Sequence, residues 1–183
     1  MLKTFANSIG VFGGSFDPPH KGHLKISNFA LKKLGLKKIH WVITKQNPLK
    51  KRCYFSIKQR FKKCIKISKK EKRIKIHYLD AKLKTSRTLK IIEYFKKNNK
   101  RYKIYMIIGS DNLIDFHKWV GWKKIVKLCE LIVFSRKGFD KKAKKSAIMR
   151  HLNNKKITFI KNQKIDISST ILRKHYKALR YGN

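Results

Sequence analysis

The chain has 183 residues and carries 49 Lys and Arg residues against 9 Asp and Glu residues, a formal net charge of +40 at pH 7. A chain of this length fits a single domain, residues 1–183, that buries roughly 70% of its unfolded surface. Its three cysteines are an odd number without CxxC spacing, which argues against a disulfide framework and a zinc site. No stretch approaches roughly 18 apolar residues and no signal-peptide core is present, so we expect a soluble, cytoplasmic protein without a membrane partner.

The positive charge has two interpretations. Lysines are spread through every predicted helix and loop, and Lys, Asn and Ile are all abundant, which favours a generally solvated basic surface. The alternative is a binding site for a polyanion such as nucleic acid. No aromatic-interleaved RNA motif and no recognition-helix pattern supports that alternative, so we expect no specific nucleic-acid partner.

The most informative stretch is residues 13–23, which read Gly-Gly-Ser-Phe-Asp-Pro-Pro-His-Lys-Gly-His. An apolar run at 9–12 precedes it and an amphipathic run at 24–34 follows it. This pattern predicts a strand, a tight turn and a helix. We refer to residues 13–23 as the HxGH loop.

The residue types in the HxGH loop suit phosphate. Gly13 and Gly14 allow a sharp turn and a close approach of the backbone to a ligand. The first N–H groups of the following helix have no partner within the helix and attract anions. His20 and His23 are three residues apart, so they lie on one side of the first helical turn, beside that phosphate site.

The rest of the chain alternates strands and helices, which predicts an α/β fold: a Rossmann-like doubly wound, mostly parallel sheet with helices on both faces. Ligands of such folds bind at the carboxyl ends of the strands, where several loops converge. After a first helix at 22–34, the predicted elements are a strand at 38–44, a helix capped by Ser56 and Gln59, strands at 74–78, 102–108, 131–135 and 157–160, helices at 86–98, 119–127 and 141–152, and a last helix after Ser168.

The HxGH loop matches neither of the two common phosphate motifs. The Walker pattern GxxxxGK[ST] and the dinucleotide pattern GxGxxG are both absent. Two histidines at a helix start instead suit the donation of hydrogen bonds to a triphosphate. They also suit stabilisation of the charge that develops when a phosphoryl centre is attacked.

The HxGH loop resembles the signature of the HxGH nucleotidyltransferase superfamily, and most closely that of the bacterial nicotinate-nucleotide adenylyltransferases. Five further strings are similar to motifs of that family in order and spacing, and the match extends from residue 9 to residue 173. These strings are Asn-Pro-Leu-Lys at 47–50, Thr-Ser-Arg-Thr-Leu at 85–89, Ile-Gly-Ser-Asp at 108–111 with Trp119, Arg-Lys-Gly at 136–138, and Ile-Ser-Ser-Thr-Ile-Leu-Arg at 167–173.

The resemblance implies a reaction between ATP and nicotinate mononucleotide that forms nicotinate adenine dinucleotide and pyrophosphate, a step of NAD synthesis. The family works by direct in-line attack of the mononucleotide phosphate on the α-phosphorus, without a covalent enzyme intermediate. A phosphate monoester is already largely ionised at neutral pH, so the chemistry needs no protein nucleophile. Mg²⁺ would arrive on the triphosphate, held mainly by phosphates and water.

The resemblance also implies a role for each matched residue. The implied catalytic residues are His20, His23, Lys50 and Arg173, with Lys51 and Arg52 as substitutes for Lys50. The implied ATP-binding residues are Gly13, Gly14, Ser15, His20, His23, Gly109, Asp111, Ser168, Thr170 and Arg173. Thr85 and Trp119 would bind the nicotinate mononucleotide.

Three positions depart from the family pattern: Lys84 stands where a tyrosine is usual, Arg87 where an acid is usual and Lys137 where a proline is usual. The alternatives are therefore another HxGH adenylyltransferase, with nicotinamide mononucleotide or phosphopantetheine as acceptor, and, from a different class, a basic nucleic-acid-binding protein. The elements containing Thr85 and Trp119 argue against phosphopantetheine.

Overall fold

The computed structural model describes residues 5–45, 53–153 and 155–161. Within these ranges six strands form one sheet in the order β3-β2-β1-β4-β5-β6, and every neighbouring pair is parallel. This confirms the predicted doubly wound α/β fold. The strands are β1 Ser8–Gly14, β2 Lys38–Ile43, β3 Ile74–His77, β4 Lys103–Gly109, β5 Glu130–Phe134 and β6 Ile157–Ile160.

Helices connect the strands and cover both faces of the sheet. Across the described ranges they are α1 Lys21–Lys32, α2 Ile57–Ser68, α3 Asp80–Leu83, α4 Thr88–Asn98, α5 Ser110–Ile114, a 3₁₀ turn Phe116–Lys118, α6 Trp122–Leu128, α7 Asp140–Lys144 and α8 Ala147–Leu152. The predicted capping box of α2 is confirmed, because Ser56 Oγ accepts from the Gln59 N–H and Gln59 Oε1 accepts from the Ser56 N–H. No helix in the described part of the chain is long and apolar enough to cross a membrane.

Two predicted helices differ from the structure by more than two residues at an end or in their continuity. The helix predicted at 141–152 is wrong as one element: it is divided into α7 and α8 by Ser146, which has the extended backbone of an N-cap (φ −67°, ψ 157°). The helix predicted at 119–127 begins only at Trp122, because Gly121 has a left-handed backbone (φ +73°) that cannot continue a right-handed helix. The short helices α3 and α5 have too few residues to show a periodic pattern in the sequence.

The sheet separates two apolar clusters. On one face, β1 and β2 pack against Ala30 and Leu31 of α1 and Cys64 of α2. On the other face, the cluster includes Phe95 of α4 and Ile125 of α6. Each face is covered by helices that follow different strands, because the chain winds away from the centre of the sheet in both directions.

This winding places a crevice between the carboxyl ends of β1 and β4. The two strands are neighbours, with Phe12 paired to Ile107. The chain leaves β1 for a helix on one face and leaves β4 for helices on the other, so the two connections diverge above the sheet. In open α/β sheets such a switch point is where ligands bind.

Candidate active site

Two histidines form the first turn of α1 at the end of β1. His20 is the N-cap, and its Nδ1 accepts a hydrogen bond of 3.1 Å from the Gly22 N–H. His23 Nδ1 in turn accepts a hydrogen bond of 3.1 Å from the His20 N–H. The pair therefore makes a reciprocal capping box from imidazole nitrogens, and the two ring centroids are 3.9 Å apart.

These hydrogen bonds determine which ring nitrogen carries the proton. A backbone N–H can only donate, so Nδ1 of both rings must be unprotonated, and in the neutral imidazole the hydrogen is on Nε2. His20 is 9% exposed, and its burial, followed by the positive charge of Arg136, lowers its pKa to about 4. At neutral pH His20 is therefore an uncharged ring that donates through Nε2–H.

Aromatic residues pack against the His23 ring. Phe16 is buried and lies 4.8 Å from the His23 ring, and Trp41 of β2 stacks on Phe16 at 5.0 Å. Trp41 Nε1–H donates a hydrogen bond of 2.8 Å to Ser27 Oγ of α1. The HxGH loop is thus fixed to both the sheet and the helix that it begins.

The carboxyl end of β4 provides the other wall of the crevice. Asp111 Oδ2 pairs with Arg136 Nη1 at 2.5 Å, and Ser110 Oγ accepts from the Arg136 N–H at 2.9 Å. A Cβ on Gly109 would overlap Asp111 Oδ1, so any side chain at this position would force the carboxylate to move. Asp111 Oδ1 is buried and has no hydrogen-bond partner among the described residues.

Arg136 links the two walls and was not among the predicted site residues. It lies two residues after the end of β5. Its charge acts on His20 in the HxGH loop, and its guanidinium binds Asp111 beyond β4. The signal in the sequence that could have identified Arg136 was its position just after a predicted strand near the switch point. From the sequence it was named only as part of the string at 136–138.

The two residues predicted to bind the second substrate are on neighbouring segments. Thr85 Oγ1 accepts a hydrogen bond of 3.2 Å from the Arg87 N–H just before α4. Trp119 is half-buried and stacks on Phe116 at 5.0 Å. The side chain of Leu89 lies so close to Gly121 that a Cβ there would meet it at 2.5 Å, and this contact brings the two segments together.

Four predicted site residues, Lys50, Ser168, Thr170 and Arg173, lie outside the described residues, as do Lys51 and Arg52. Gly13 and Gly14 are the last two residues of β1, and Ser15 follows them. The sharp turn predicted at the two glycines is wrong, because both continue the strand and the residue with a left-handed backbone in this loop is Phe16 (φ +46°). In the described ranges no group of three or more His, Cys, Asp or Glu side chains is placed to hold a metal ion.

Comparison with known proteins identifies the family of this chain. The cytidylyltransferase-like family model matches residues 11–175. A probable nicotinate-nucleotide adenylyltransferase of Pelagibacter ubique (strain HTCC1062) is 46% identical over 173 residues, which cover 94% of this chain and 96% of the relative. The chain belongs to the cytidylyltransferase-like family, among its nicotinate-nucleotide adenylyltransferases.

Other relatives extend the comparison. The probable nicotinate-nucleotide adenylyltransferase of Rhizobium meliloti (strain 1021) is 32% identical over 183 residues, covering 91% of this chain and 97% of the relative. Among solved structures, a Plasmodium falciparum nicotinic acid mononucleotide adenylyltransferase complexed with NaAD has a TM-score of 0.74 at 22% identity, covering 92% of this chain and 83% of that one. At that identity the structural likeness supports the fold alone.

Proposed function

We propose that this protein transfers the adenylyl group of ATP to nicotinate mononucleotide, forming nicotinate adenine dinucleotide and pyrophosphate in NAD biosynthesis. The observation that carries the proposal is the pair of imidazole rings at the switch point, with Nδ1 of His20 and His23 both accepting backbone N–H groups. This arrangement presents two Nε2–H donors beside the start of a helix. The membership of the family supports the same reaction.

The reaction is a single displacement at the α-phosphorus of ATP. An oxygen of the mononucleotide phosphate forms the new bond to that phosphorus, the bond from the phosphorus to the oxygen bridging the α- and β-phosphates breaks, and pyrophosphate leaves with the electron pair. The attacking oxygen is already ionised, so no side chain has to remove a proton. Catalysis then comes from positioning, which can supply roughly 7–11 kcal/mol, and from stabilisation of the developing negative charge.

In this proposal the HxGH loop holds the triphosphate. Gly13, Gly14 and Ser15 form the cradle, and the Nε2–H groups of His20 and His23 donate to phosphate oxygens. His20 is neutral before ATP binds, because its pKa is lowered to about 4 by burial and by Arg136. A nearby triphosphate favours the protonated ring, so ATP binding raises this pKa again.

The end of β4 and the loop after β5 supply fixed charges, Asp111 and Arg136, across the crevice from the HxGH loop. Arg136 is held by Asp111 and lies close enough to His20 to influence its pKa. Gly109 keeps the space that the Asp111 carboxylate needs. We assign Gly109 and Asp111 to the nucleotide site, with Mg²⁺ entering as part of the MgATP substrate rather than in a site of the protein.

The second substrate is assigned to Thr85 and Trp119. Their segments meet through the packing of Leu89 on Gly121, so a hydroxyl and an indole ring are available on adjacent loops. An indole stacks on a pyridine ring, and a threonine hydroxyl donates to a carboxylate. Lys50, Ser168, Thr170 and Arg173 remain proposed contacts to the reacting phosphates from outside the described residues.

Pyrophosphate release tests the proposal. The purified protein is given MgATP with nicotinate mononucleotide, nicotinamide mononucleotide or phosphopantetheine in separate reactions. The expected result is fast release with the first acceptor and slower release with the other two. A preference for either of the others would move the protein to another acceptor class, and silence with all three would refute adenylyl transfer.

A further inference from the structure

A buried arginine connects three loops around the candidate site. Arg60, the fourth residue of α2, is 2% exposed. Its Nη1 donates to the Ser15 carbonyl at 2.6 Å and to the Thr44 carbonyl at 2.9 Å. Its Nη2 donates to the Lys45 carbonyl at 3.0 Å, and its Nε donates to the Phe55 carbonyl at 3.0 Å.

These acceptors belong to segments that are distant in the sequence. Ser15 is in the HxGH loop, Thr44 and Lys45 follow β2, and Phe55 precedes α2. A guanidinium group has five N–H donors in a rigid, planar fork, so it can hold several carbonyls at fixed separations. A lysine in the same position has one nitrogen and cannot span them.

A buried carboxylate also joins two of these segments, the HxGH loop and the segment before α2. Asp17 is 2% exposed, and its two oxygens accept from the Tyr54 N–H at 2.7 Å and the Phe55 N–H at 2.8 Å. Phe55 is therefore held at its N–H by the HxGH loop and at its carbonyl by Arg60. The HxGH loop is tied to the segment before α2 through both of these residues.

Stability alone is a poor explanation for this arginine. Taking a guanidinium out of water is costly, and in the described part of the chain its four hydrogen-bond acceptors are neutral carbonyls. The buried Asp80 carboxylate is close enough for its charge to interact with that of Arg60, but the two side chains do not form a hydrogen bond. A positive charge in the first turn of a helix also opposes the helix dipole. In return the guanidinium supplies four hydrogen bonds that set the positions of these carbonyls, and an apolar side chain would leave all four carbonyls without these donors.

We infer that Arg60 is a positioning residue for adenylyl transfer, which sets the place of the HxGH loop relative to the backbone that follows β2. Ser15 is in the proposed triphosphate cradle, five residues before His20. Small displacements of catalytic groups carry large rate penalties, up to about a hundredfold for 1 Å. This inference rests on the proposed function, and it concerns ATP rather than the mononucleotide.

The test measures kcat, KM for ATP and KM for nicotinate mononucleotide in Arg60→Lys, together with the free energy of unfolding in urea. The matched control is Leu34→Ala. Leu34 is fully buried in the apolar cluster that packs β1 and β2 against α1 and α2, and it lies between α1 and β2, near the amino ends of the strands. We expect Arg60→Lys to lower kcat/KM for ATP by roughly ten- to a hundredfold. KM for the mononucleotide should stay within about twofold of wild type, and Leu34→Ala should lose stability without a change in kinetics.

The inference would be overturned if folded Arg60→Lys has the kinetics of wild type, or if Leu34→Ala loses as much kcat/KM for ATP as Arg60→Lys does. If Arg60→Lys does not fold, Asp17→Asn is subjected to the same measurements, since it weakens the second tie between the same segments, and a kcat/KM for ATP equal to that of wild type then overturns it. The two proposals fail differently. An inactive wild-type protein refutes the proposed function. An active wild-type protein whose variants have unchanged kinetics refutes only the role of Arg60.

Discussion

Acid should destabilise this fold through a buried histidine pair on the sheet. His40 of β2 is 9% exposed, and its Nδ1 lies 2.8 Å from His77 Nε2 of β3. Phe95 of α4 covers both rings, at 4.7 Å from His40 and 5.6 Å from His77. Burial, then the charges of His77, Lys38 and Lys75, lowers the pKa of His40 to about 4, and burial lowers the pKa of His77 as well.

The sign of the effect follows from where the protons bind. The unfolded chain takes up a proton on His40 below pH 6.5, whereas the folded protein resists that proton until about pH 4. Stability is therefore lost as the pH falls through this window. From these two pKa values, His40 alone should cost about 2 kcal/mol of unfolding free energy between pH 7 and pH 5.

The assay compares wild type with His40→Gln by urea unfolding at pH 7 and pH 5. Glutamine does not titrate, and its amide can still hydrogen-bond to His77. Between pH 7 and pH 5, wild type should lose about 2 kcal/mol more unfolding free energy than His40→Gln. This corresponds to a difference of roughly 1 M in the shift of the urea midpoint. His20 and His77 are present in both proteins, so both proteins lose some stability in acid, and the comparison reports the additional loss caused by His40. Equal losses in the two proteins would refute the assignment of acid sensitivity to His40.

Four further substitutions, at three positions, test the proposed site. His20→Ala and His20→Asn should both lower turnover by about a hundredfold or more; because asparagine keeps a capping acceptor for α1, near-normal turnover in folded His20→Asn would show that the ring acts only as a cap. Gly109→Ala should lower kcat/KM for ATP by about tenfold, since its Cβ displaces the Asp111 carboxylate, and an unchanged value would remove the end of β4 from the site. Trp119→Leu should raise KM for nicotinate mononucleotide by about tenfold and leave KM for ATP unchanged, as measured by initial rates; equal effects on both substrates would contradict the stacking role.

The alternation of strands and helices could be predicted from the sequence because the strands are short, apolar and rich in β-branched residues. β6 has the predicted bounds of Ile157–Ile160, and β2 differs by one residue. The break between α7 and α8 was not readable, since Lys and Ala continue a helical composition up to Ser146. A serine inside a basic amphipathic run gives no signal that distinguishes an N-cap from a solvated position.

The candidate site was predictable where a motif places side chains close together in sequence. His20 and His23 lie within one turn, and only the roles of their nitrogens required coordinates. Arg60 and Asp17 were not predictable. Their partners are backbone atoms 5 to 45 residues away, and a backbone carbonyl leaves no mark in the sequence.

The central claim is adenylyl transfer, and a label on the α-phosphate of ATP follows that group directly. The protein is incubated with α-³²P-labelled MgATP and nicotinate mononucleotide, and the products are separated by chromatography. The account predicts that the label appears in nicotinate adenine dinucleotide, in a one-to-one ratio with unlabelled pyrophosphate, and that none is bound to protein. Label that accumulates on the protein would contradict the direct displacement, and label that stays in ATP, ADP or AMP would contradict adenylyl transfer itself.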